Sequence, residues 1–326
     1  MRTPHRIAIV VSAVQMIACA RAAPAPEPVA SEPVASDEPL LFAPGEISTG
    51  SMELNSSFTR DGKIVYFTKR TPKAQLWVMV SSHMDSRGHW SKPEVLPFSG
   101  QYNDFDPFLS PDESALYWSS SRPVEAGGQP KRDFDIWRVR RAGDGWGQPE
   151  HLGPNVNTQS QEFYPSISSD GTLFFSSNRP GGLGELDVYQ ARRDGDDFAA
   201  AENVGSAVNS DRSDGDPYIS PDGSFLVFVS YGRTDGLGGG DLYISRRSGA
   251  AWTPARNLGP KINSPALEFC PIGSPDGRRL FFTSDRGFAD RPLTRPIGSA
   301  ELDRALSSPR NGLGDIYSVP ISALQP

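Results

Sequence analysis

Short apolar runs alternate with turn-forming residues along almost the whole chain, and the pattern repeats. A turn string of the type Ser-Pro-Asp-Gly, complete or partial, occurs five times, with its aspartates 51, 58, 52 and 54 residues apart. These aspartates are Asp61, Asp112, Asp170, Asp222 and Asp276. Ser, Pro, Asp and Gly in this order fit a type I turn. A period of this length predicts an array of similar supersecondary units.

Each turn is followed by a run of aliphatic and aromatic residues that predicts a β-strand. A third run follows in every unit, and a fourth run follows in the first four units. In the fourth run an aromatic residue precedes an aliphatic residue by six positions, as in Trp90 and Leu96. Four short strands per unit are typical of a propeller blade. The sequence therefore predicts an all-β fold, a five-bladed β-propeller of four-stranded blades over residues 40–326.

The fifth unit ends after its third strand, because only residues 318–326 remain. Residues 40–47 resemble the outer-strand tail of the fourth unit, residues 258–262, and they precede the first unit as that tail precedes the fifth. We expect residues 40–47 to supply the missing outer strand and to close the ring, which removes the open strand edges. A six-bladed propeller is the alternative.

The five turn strings and the strand runs after them resemble the PD40, or WD40-like, β-propeller repeats of the periplasmic TolB family. The resemblance covers residues 40–320 and implies a TolB-like propeller in an exported protein. It says little about activity, because propellers of this type serve many tasks. TolB itself carries an additional N-terminal α/β domain, whereas this chain has only a spacer before the repeats.

The first 20 residues have the pattern of a secretory signal peptide. A basic start is followed by an apolar run over residues 7–18, which is too short to span a bilayer. Residues 16–19, Met-Ile-Ala-Cys, resemble the lipobox of bacterial lipoproteins, which implies lipidation of Cys19. Simple cleavage among the small residues around it is the alternative. Residues 21–39, rich in Pro, Ala and Glu, predict an extended linker. We expect an exported protein, either periplasmic or a membrane-anchored lipoprotein.

Composition narrows the classes of partner and cofactor. The chain has 32 Lys and Arg against 39 Asp and Glu, a net charge of -7, which argues against nucleic acid because phosphate neutralisation needs clustered positive charge. Only Cys19 and Cys270 are present, so Cys270 lacks a disulfide partner if Cys19 is lipidated or removed. We expect Cys270 to be a buried small hydrophobe. Dispersed His and scarce Cys argue against zinc, and no cofactor is predicted.

Charged residues recur at fixed distances from the turn aspartates. A carboxylate lies eight residues before each one, at Glu53, Asp104, Glu162, Asp214 and Glu268. An arginine lies nine to eleven residues after each one, at Arg70, Arg122, Arg179, Arg233 and Arg286. Positions equidistant from a hairpin turn face each other, so each acid should pair with its arginine. The first residue of strand three adds a second carboxylate in blades two to five, at Asp135, Asp187, Asp241 and Asp315.

Two interpretations of these clusters stay open. In the first, they are structural and fix the strand ends and loops of every blade. In the second, the five first-strand acids form an acidic ring at one mouth of the central channel, where they bind a divalent cation or a basic segment.

The loops between strands two and three lie at the same end of the predicted propeller and vary most in length. In the longest, residues 287–314, residues 299–306 predict a short helix capped by Ser299. This loop also adds Arg291, Arg295, Arg304 and Arg310. Long loops on a rigid scaffold are where binding sites usually lie. The sequence thus predicts a monomeric, non-enzymatic binding module for a protein or peptide of the cell envelope, with membrane contact only through the lipid anchor.

The alternative function is a carbohydrate-active, glycosidase-like enzyme, because five-bladed propellers with axial carboxylates cleave glycans. Its catalytic candidates are Glu53, Glu162 and Glu268. Asp214 and Asp216 belong to a short acidic stretch without the spacing of an EF-hand calcium loop, so we expect solvated turns there.

Overall fold

The protein is a five-bladed β-propeller, built from small antiparallel sheets arranged around a common axis. The computed structural model describes residues 37–290 and 292–324. The predicted signal peptide, Cys19 and most of the 21–39 linker lie outside the described residues. Within the described ranges, no helix has the length and apolar character needed to cross a membrane.

Strand β1 (Leu40–Leu41) precedes the first blade. Blade one contains β2 (Met52–Phe58), β3 (Ile64–Arg70), β4 (Trp77–His83) and β5 (Glu94–Val95). Blade two contains β6 (Asp104–Leu109), β7 (Ala115–Ser120), β8 (Asp135–Ala142), β9 (Gly145–Trp146) and β10 (Glu150–His151). Blade three contains β11 (Glu162–Ile167), β12 (Leu173–Ser177), β13 (Asp187–Ala191) and β16 (Glu202–Asn203), with a small hairpin of β14 (Arg193–Asp194) and β15 (Asp197–Phe198).

Blade four contains β17 (Ser213–Ile219), β18 (Phe225–Tyr231), β19 (Asp241–Ser248), β20 (Ala251–Trp252) and β21 (Arg256–Asn257). Blade five contains β22 (Glu268–Gly273), β23 (Arg279–Ser284) and β24 (Asp315–Pro320). One α-helix, α1 (Ser299–Leu306), and two 3-10 turns, Pro72–Ala74 and Ile321–Leu324, complete the described part of the chain. In each blade the first strand is innermost, and the later strands follow it outward.

The N-terminal strand closes the ring, as predicted. Strand β1 pairs antiparallel with β24, Leu40 opposite Ser318 and Leu41 opposite Tyr317. The N–H of Phe42 extends this ladder by donating to the carbonyl of Ile316 at 2.8 Å. The alternative of six blades is wrong, because the described strands form five blades and β1 completes the fifth.

A repeated side-chain clasp fixes the connection between blades. In Asn157, Oδ1 accepts the N–H of Ile136 at 2.8 Å while Nδ2 donates to the carbonyl of the same residue at 2.9 Å. Asn209 bonds Val188 in the same way, and Asn263 forms the corresponding pair with Leu242. At the closure Ser48 replaces asparagine and bonds both backbone groups of Ile316. The ring closure therefore uses a contact like that of the last three internal connections, those that enter blades three, four and five.

Helix α1 has the predicted bounds, but the predicted cap is wrong. The N-cap residue is Gly298, and no side-chain hydrogen bond caps the helix. Ser299 is already the first helical residue, so its hydroxyl does not have the extended backbone position from which an N-cap side chain reaches back.

Candidate functional site

The five first-strand acids are buried inside their blades. Each is 0 % exposed, and each accepts hydrogen bonds from groups of its own blade or of the preceding connection. Glu162, for example, accepts from Thr158 N–H at 2.7 Å, from Ser177 Oγ at 2.7 Å and from Arg179. The acids do recur at one level around the axis, but they offer no exposed carboxylate to a ligand.

In blades two to five the acid and its predicted arginine form a salt bridge. The pairs are Asp104–Arg122, Glu162–Arg179, Asp214–Arg233 and Glu268–Arg286, with N···O distances of 2.7, 3.2, 2.6 and 3.0 Å. Each arginine also donates to a backbone carbonyl in the connection that enters its blade. These carbonyls belong to Phe98, Val156, Val208 and Ile262. The guanidinium fork therefore ties the strand end to the neighbouring connection.

The prediction for blade one is wrong, because Lys69 and not Arg70 pairs with Glu53, at 2.6 Å. The residue opposite Glu53 is Lys69, where the other four blades have a serine opposite the acid, and Arg70 lies opposite Met52. Neighbouring residues of a strand point to opposite faces, so Arg70 cannot reach the acid. Its guanidinium packs over the ring of Trp77 instead.

The expected second carboxylate does not join these salt bridges, which corrects the prediction for all four blades. Asp135 bonds Lys131 and His151, Asp187 accepts the N–H of Leu183, and Asp241 and Asp315 accept the backbone N–H groups of Leu237 and Arg310. These acids close the loop that precedes strand three. Burial raises the pKa of Asp187, and it raises the pKa of Asp315 to about 6.

A second group of residues lies two positions further along the innermost strands, at the axis. These residues are Asn55, Asp106, Tyr164, Asp216 and Cys270, which we call the axial cluster. All five have positive φ, between 49° and 56°, at a β-bulge where two residues oppose one. For Tyr164 and Cys270 such a backbone costs roughly 1–2 kcal/mol. Repeated strain of this kind is typical of functional sites.

The axial cluster brings two carboxyl groups and a thiol together across different blades. The Sγ of Cys270 lies 3.8 Å from Asp216 Oδ2 and 4.0 Å from Asp106 Oδ1. All three side chains are buried. Neither carboxylate forms a salt bridge with a described Lys, Arg or His. This sets them apart from the first-strand acids on the same strands, Asp104 and Asp214, each of which has an arginine.

Burial is the main cause of the raised pKa values in the axial cluster. It raises the pKa of Asp106 well above its usual value, and the negative charge of Asp216 acts in the same direction. Burial raises the pKa of Asp216 to about 6, although hydrogen bonds from Cys270 oppose the change. The pKa of the Cys270 thiol is also raised by burial and by the two carboxylates. A buried like-charge pair favours a protonated carboxyl at moderately acidic pH.

Each bulge N–H of the axial cluster is satisfied by the preceding blade. In four blades the acceptor is a hydroxyl on the second strand of the preceding blade. Thr283 accepts from Asn55, Thr68 from Asp106, Ser119 from Tyr164 and Ser176 from Asp216. Blade four has Val229 at that position, next to Ser230. The N–H of Cys270 donates to Asp216 Oδ2 at 3.2 Å instead. Asp216 thus replaces a missing hydroxyl.

Tyr164 spans the axis. Its hydroxyl donates to the carbonyl of Pro271 in blade five at 2.7 Å, and its side chain is 1 % exposed. Beyond it, at the end of the propeller that carries the Ser-Pro-Asp-Gly turns, the axis opens into a cavity of about 260 Å³. All five blades line this cavity, with Phe58, Phe108, Ile167, Tyr218 and Ile272 among its walls.

The axial cluster was not predicted from the sequence, although the sequence carries a signal of it. In four innermost strands the axial residue stands between the first-strand acid and a proline, in Asp-Phe-Asp-Pro, Glu-Phe-Tyr-Pro, Asp-Gly-Asp-Pro and Glu-Phe-Cys-Pro. Proline lacks an N–H and is tolerated at bulges, so its recurrence inside a central strand indicated one. The expectation of solvated turns is wrong for Asp214 and Asp216, which are buried in β17. Cys270 is buried, and its neighbours are carboxyl groups.

No metal centre is evident in the described ranges, 37–290 and 292–324. Within them, no three or more His, Cys, Asp or Glu side chains are grouped so that they could hold a metal ion.

No protein-family model and no curated protein matches the chain. Several solved structures have a similar fold. An α-L-arabinofuranosidase from Lactobacillus brevis is 11 % identical with a TM-score of 0.53, over 85 % of this chain and 92 % of its own. A structure titled glycoside hydrolase is 11 % identical with a TM-score of 0.52, over 90 % and 92 %. Kuenenia stuttgartiensis hydrazine synthase is 13 % identical with a TM-score of 0.50, over 82 % and 40 %. At these identities the likeness shows the fold alone.

The loops between the second and third strands of blades two to five, residues 121–134, 178–186, 232–240 and 285–314, form what we call the loop face. Of the nine exposed large apolar side chains in the described residues, seven lie on it. They are Val124, Leu183, Leu237, Leu293, Leu302, Leu306 and Leu313. Leu302 and Leu306 stand one helical turn apart on α1 and therefore share one side of it.

The predicted basic residues of the longest loop are on the loop face. Arg295, Arg304 and Arg310 are exposed. Arg295 forms a salt bridge with Glu301 at 2.9 Å, and the backbone N–H of Arg310 donates to Asp315 at 2.6 Å. Arg291 lies outside the described residues. The structure thus brings apolar and basic side chains together on this loop.

Proposed function

We propose that this protein is a binding module that docks a protein or peptide of the cell envelope on its loop face. The observation that carries the proposal is the concentration of seven of nine exposed large apolar side chains on one face. Single exposed apolar residues need no explanation, but an apolar patch with polar and charged residues around it is typical of an interaction surface. Arg295, Arg304 and Arg310 supply such a charged margin.

The longest loop is held in place, which suits it for binding. Asn311 Nδ2 donates to the carbonyl of Gly50 in front of blade one at 3.1 Å, and Phe288 N–H donates to Arg310 O at 2.8 Å. Gly50 packs so closely that an added Cβ would lie 2.5 Å from the carbonyl oxygen of Ser307. A surface that is already ordered loses less conformational entropy when it binds.

We also propose that the protein is exported, and this part of the proposal rests on the sequence alone. The signal-peptide pattern, the lipobox-like Cys19 and the likeness of the turn strings to PD40 repeats of the TolB family support a periplasmic or lipid-anchored protein. Detection of a lipid on Cys19 by mass spectrometry of the membrane fraction tests the anchored form.

The docking proposal is tested with paired variants of the full chain. Leu302→Ser together with Leu306→Ser removes two apolar contacts of the loop face without touching a buried residue. Val95→Ser is the matched control, because Val95 is 57 % exposed but lies on β5, away from this face. We expect cross-linking in envelope fractions to capture a defined protein with the parent chain and with the control, and to lose it with the double serine variant. Equal capture by all three chains would contradict the proposal.

A second candidate function is glycan cleavage, favoured by the carboxyl pair of the axial cluster. Asp106 and Asp216 have raised pKa values and no cationic partner, which is the setting of a general acid. The fold is similar to that of a structure titled α-L-arabinofuranosidase. The earlier candidates Glu53, Glu162 and Glu268 are fully buried in hydrogen bonds. This function ranks second because Tyr164 fills the axis beside the pair.

The enzymatic candidate is tested by turnover of arabinan and xylan. Activity in the parent chain that is lost in Asp106→Asn and in Asp216→Asn supports it. Asp222→Asn in an exposed turn is the control and should keep the activity. Absence of turnover over this panel, or activity that survives both substitutions at the axis, would remove the candidate.

A further inference from the structure

A cleft between blades three and four carries three arginines without salt bridges. Arg192, Arg193 and Arg247 line it, together with Asp170 and Gln190, and its volume is about 400 Å³. None of the salt bridges in residues 37–290 and 292–324 includes one of these three arginines. In a chain of net charge -7, this is a local excess of positive charge.

The single carboxylate in the cleft is already engaged. Asp170 Oδ1 accepts from Ser168 Oγ at 2.6 Å and from Thr172 N–H at 3.0 Å, as part of the turn of blade three. These hydrogen bonds hold the pKa of Asp170 below its usual value, so that it stays ionised. Three guanidinium groups against one carboxylate leave a formal charge of two positive units.

Two of the three arginines are held in position. The guanidinium carbon of Arg247 lies 3.9 Å from the ring centroid of Trp252, and Nη1 donates to the carbonyl of Ala250 at 3.1 Å. Arg193 packs its stem on Gly171, where an added Cβ would lie 2.9 Å from Cδ, and its Nε donates to Gly195 O at 3.0 Å. Burial lowers the pKa of Arg247, the negative charge of Asp170 opposes this change, and the positive charge of Arg192 adds to it. An anion between them would relieve this repulsion.

In the neighbouring cleft, between blades two and three, the charge of two arginines is partly neutralised by a carboxylate. Arg138 and Arg140 line this cleft together with Arg193, which lines both clefts, and Arg138 and Arg140 both pair with Glu150, at 2.8 and 3.3 Å. Arg138 also donates to the carbonyl of Asp196 at 2.6 Å. Among the described residues no carboxylate forms a salt bridge with Arg192 or Arg247, and Asp170 acts on Arg247 only through its charge.

We propose that the cleft of Arg192, Arg193 and Arg247 binds a tetrahedral oxyanion of charge near minus two, namely the phosphate group of a phosphomonoester. Such a group carries about -1.5 to -2 charges at pH 7 and three acceptor oxygens. Planar guanidinium groups bind these oxygens in bidentate fashion. Gln190 adds a neutral amide donor to the cleft. The phosphate could be that of a soluble metabolite or a lipid headgroup, and the test separates these sources.

The experiment measures binding of inorganic phosphate to the full chain by calorimetry in low-salt buffer, with acetate as a monoanion for comparison. We expect phosphate to bind and acetate to bind more weakly. Arg192→Gln should weaken phosphate binding about tenfold, the value of one charge-assisted hydrogen bond. This variant should fold normally, because Arg192 is exposed and its guanidinium has no described hydrogen bond.

Arg140→Gln, in the neutralised neighbouring cleft, is the matched control and should leave the affinity unchanged. Binding of O-phosphoserine would assign the site to soluble phosphomonoesters, and binding confined to phosphatidylcholine vesicles that contain phosphatidic acid would assign it to a headgroup. The proposal fails if the parent chain binds no phosphate, if Arg192→Gln binds as well as the parent, or if Arg140→Gln weakens binding as much as Arg192→Gln.

Discussion

Two sets of carboxyl groups stand two residues apart on the same innermost strands, and their surroundings are opposite. Asp214 has Arg233 at 2.6 Å and two hydrogen bonds from Ser210. Asp216, next to it at the bulge, faces Cys270 and has no cationic partner. The first set ties each blade to the connection before it. The second set places like charges together at the axis. A carboxylate at the bulge lies at the axis without a cationic partner, whereas a carboxylate two residues before the bulge meets a cation.

The largest effect is expected from removing the cation of a first-strand acid. Arg179→Ala leaves Glu162 buried and uncompensated, which should lower the free energy of unfolding by about 3–5 kcal/mol. Urea unfolding followed by circular dichroism measures the change. Arg295→Ala removes an exposed salt bridge with Glu301 and should cost less than about 1 kcal/mol. Similar losses in both variants would remove the distinction between buried and exposed pairs.

The second prediction concerns the pH dependence that Asp216 brings to stability. Because the pKa of Asp216 is raised in the folded protein, to about 6, its contribution is fully present below pH 4 and is lost as pH rises through 6. The loss amounts to about 3 kcal/mol, from the difference between folded and unfolded pKa values. Asp216→Asn removes this loss, so the variant should match the parent at low pH and be more stable at pH 8.

Asp222→Asn is the control of opposite sign. Hydrogen bonds from Ser224 and Ser220 lower the pKa of Asp222, so its contribution is present above pH 4 and is lost as pH falls through the lowered folded pKa. Urea unfolding across this pH range compares the two. If Asp216→Asn and the parent keep the same difference at every pH, the axial carboxyl does not titrate as described.

A smaller effect is expected at the hydroxyl that crosses the axis. Tyr164→Phe deletes the donor to the carbonyl of Pro271 and should cost about 1 kcal/mol, because the carbonyl stays buried. Tyr317→Phe is a close control, since the Tyr317 hydroxyl is buried without a described partner and its removal should cost nothing. Thermal unfolding of the two variants distinguishes them. Equal destabilisation would contradict a specific role for the crossing bond.

The smallest effect is expected where blade four lacks a hydroxyl. Val229→Thr offers the N–H of Cys270 the acceptor that the other blades have, so stability should change by less than about 1 kcal/mol. Asp216 would then lose a hydrogen bond that lowers its pKa, and the pH transition should move upward. Val227→Thr, in the same strand but without this opportunity, should be destabilising by about 1–3 kcal/mol. A stability loss for Val229→Thr as large as that for Val227→Thr would contradict the role of this hydroxyl as an acceptor for the bulge N–H.

The salt bridges between the first-strand acids and the arginines could be predicted from the sequence where their positions are set by the distance from the hairpin turn. Four acid–arginine pairs could be found by counting residues from the turn aspartates, because both partners belong to one hairpin. Blade one was missed because its cation, Lys69, lies directly opposite Glu53, whereas in the other blades the arginine lies two or three residues beyond the serine opposite the acid. The second carboxylates were missed because loop geometry, and not hairpin register, places them.

The repeat, the blade number and the closure of the ring could be predicted from the amino-acid order, because they depend on apolar runs and turn residues that recur about every 54 residues. The axial cluster, the loop face and the three-arginine cleft exist only in the folded chain. The axial residues differ in every copy, so periodicity hides them, and they meet only when five strands converge on one axis. The cleft likewise depends on two adjacent blades, whose arginines are neighbours in space but lie more than 50 positions apart along the chain.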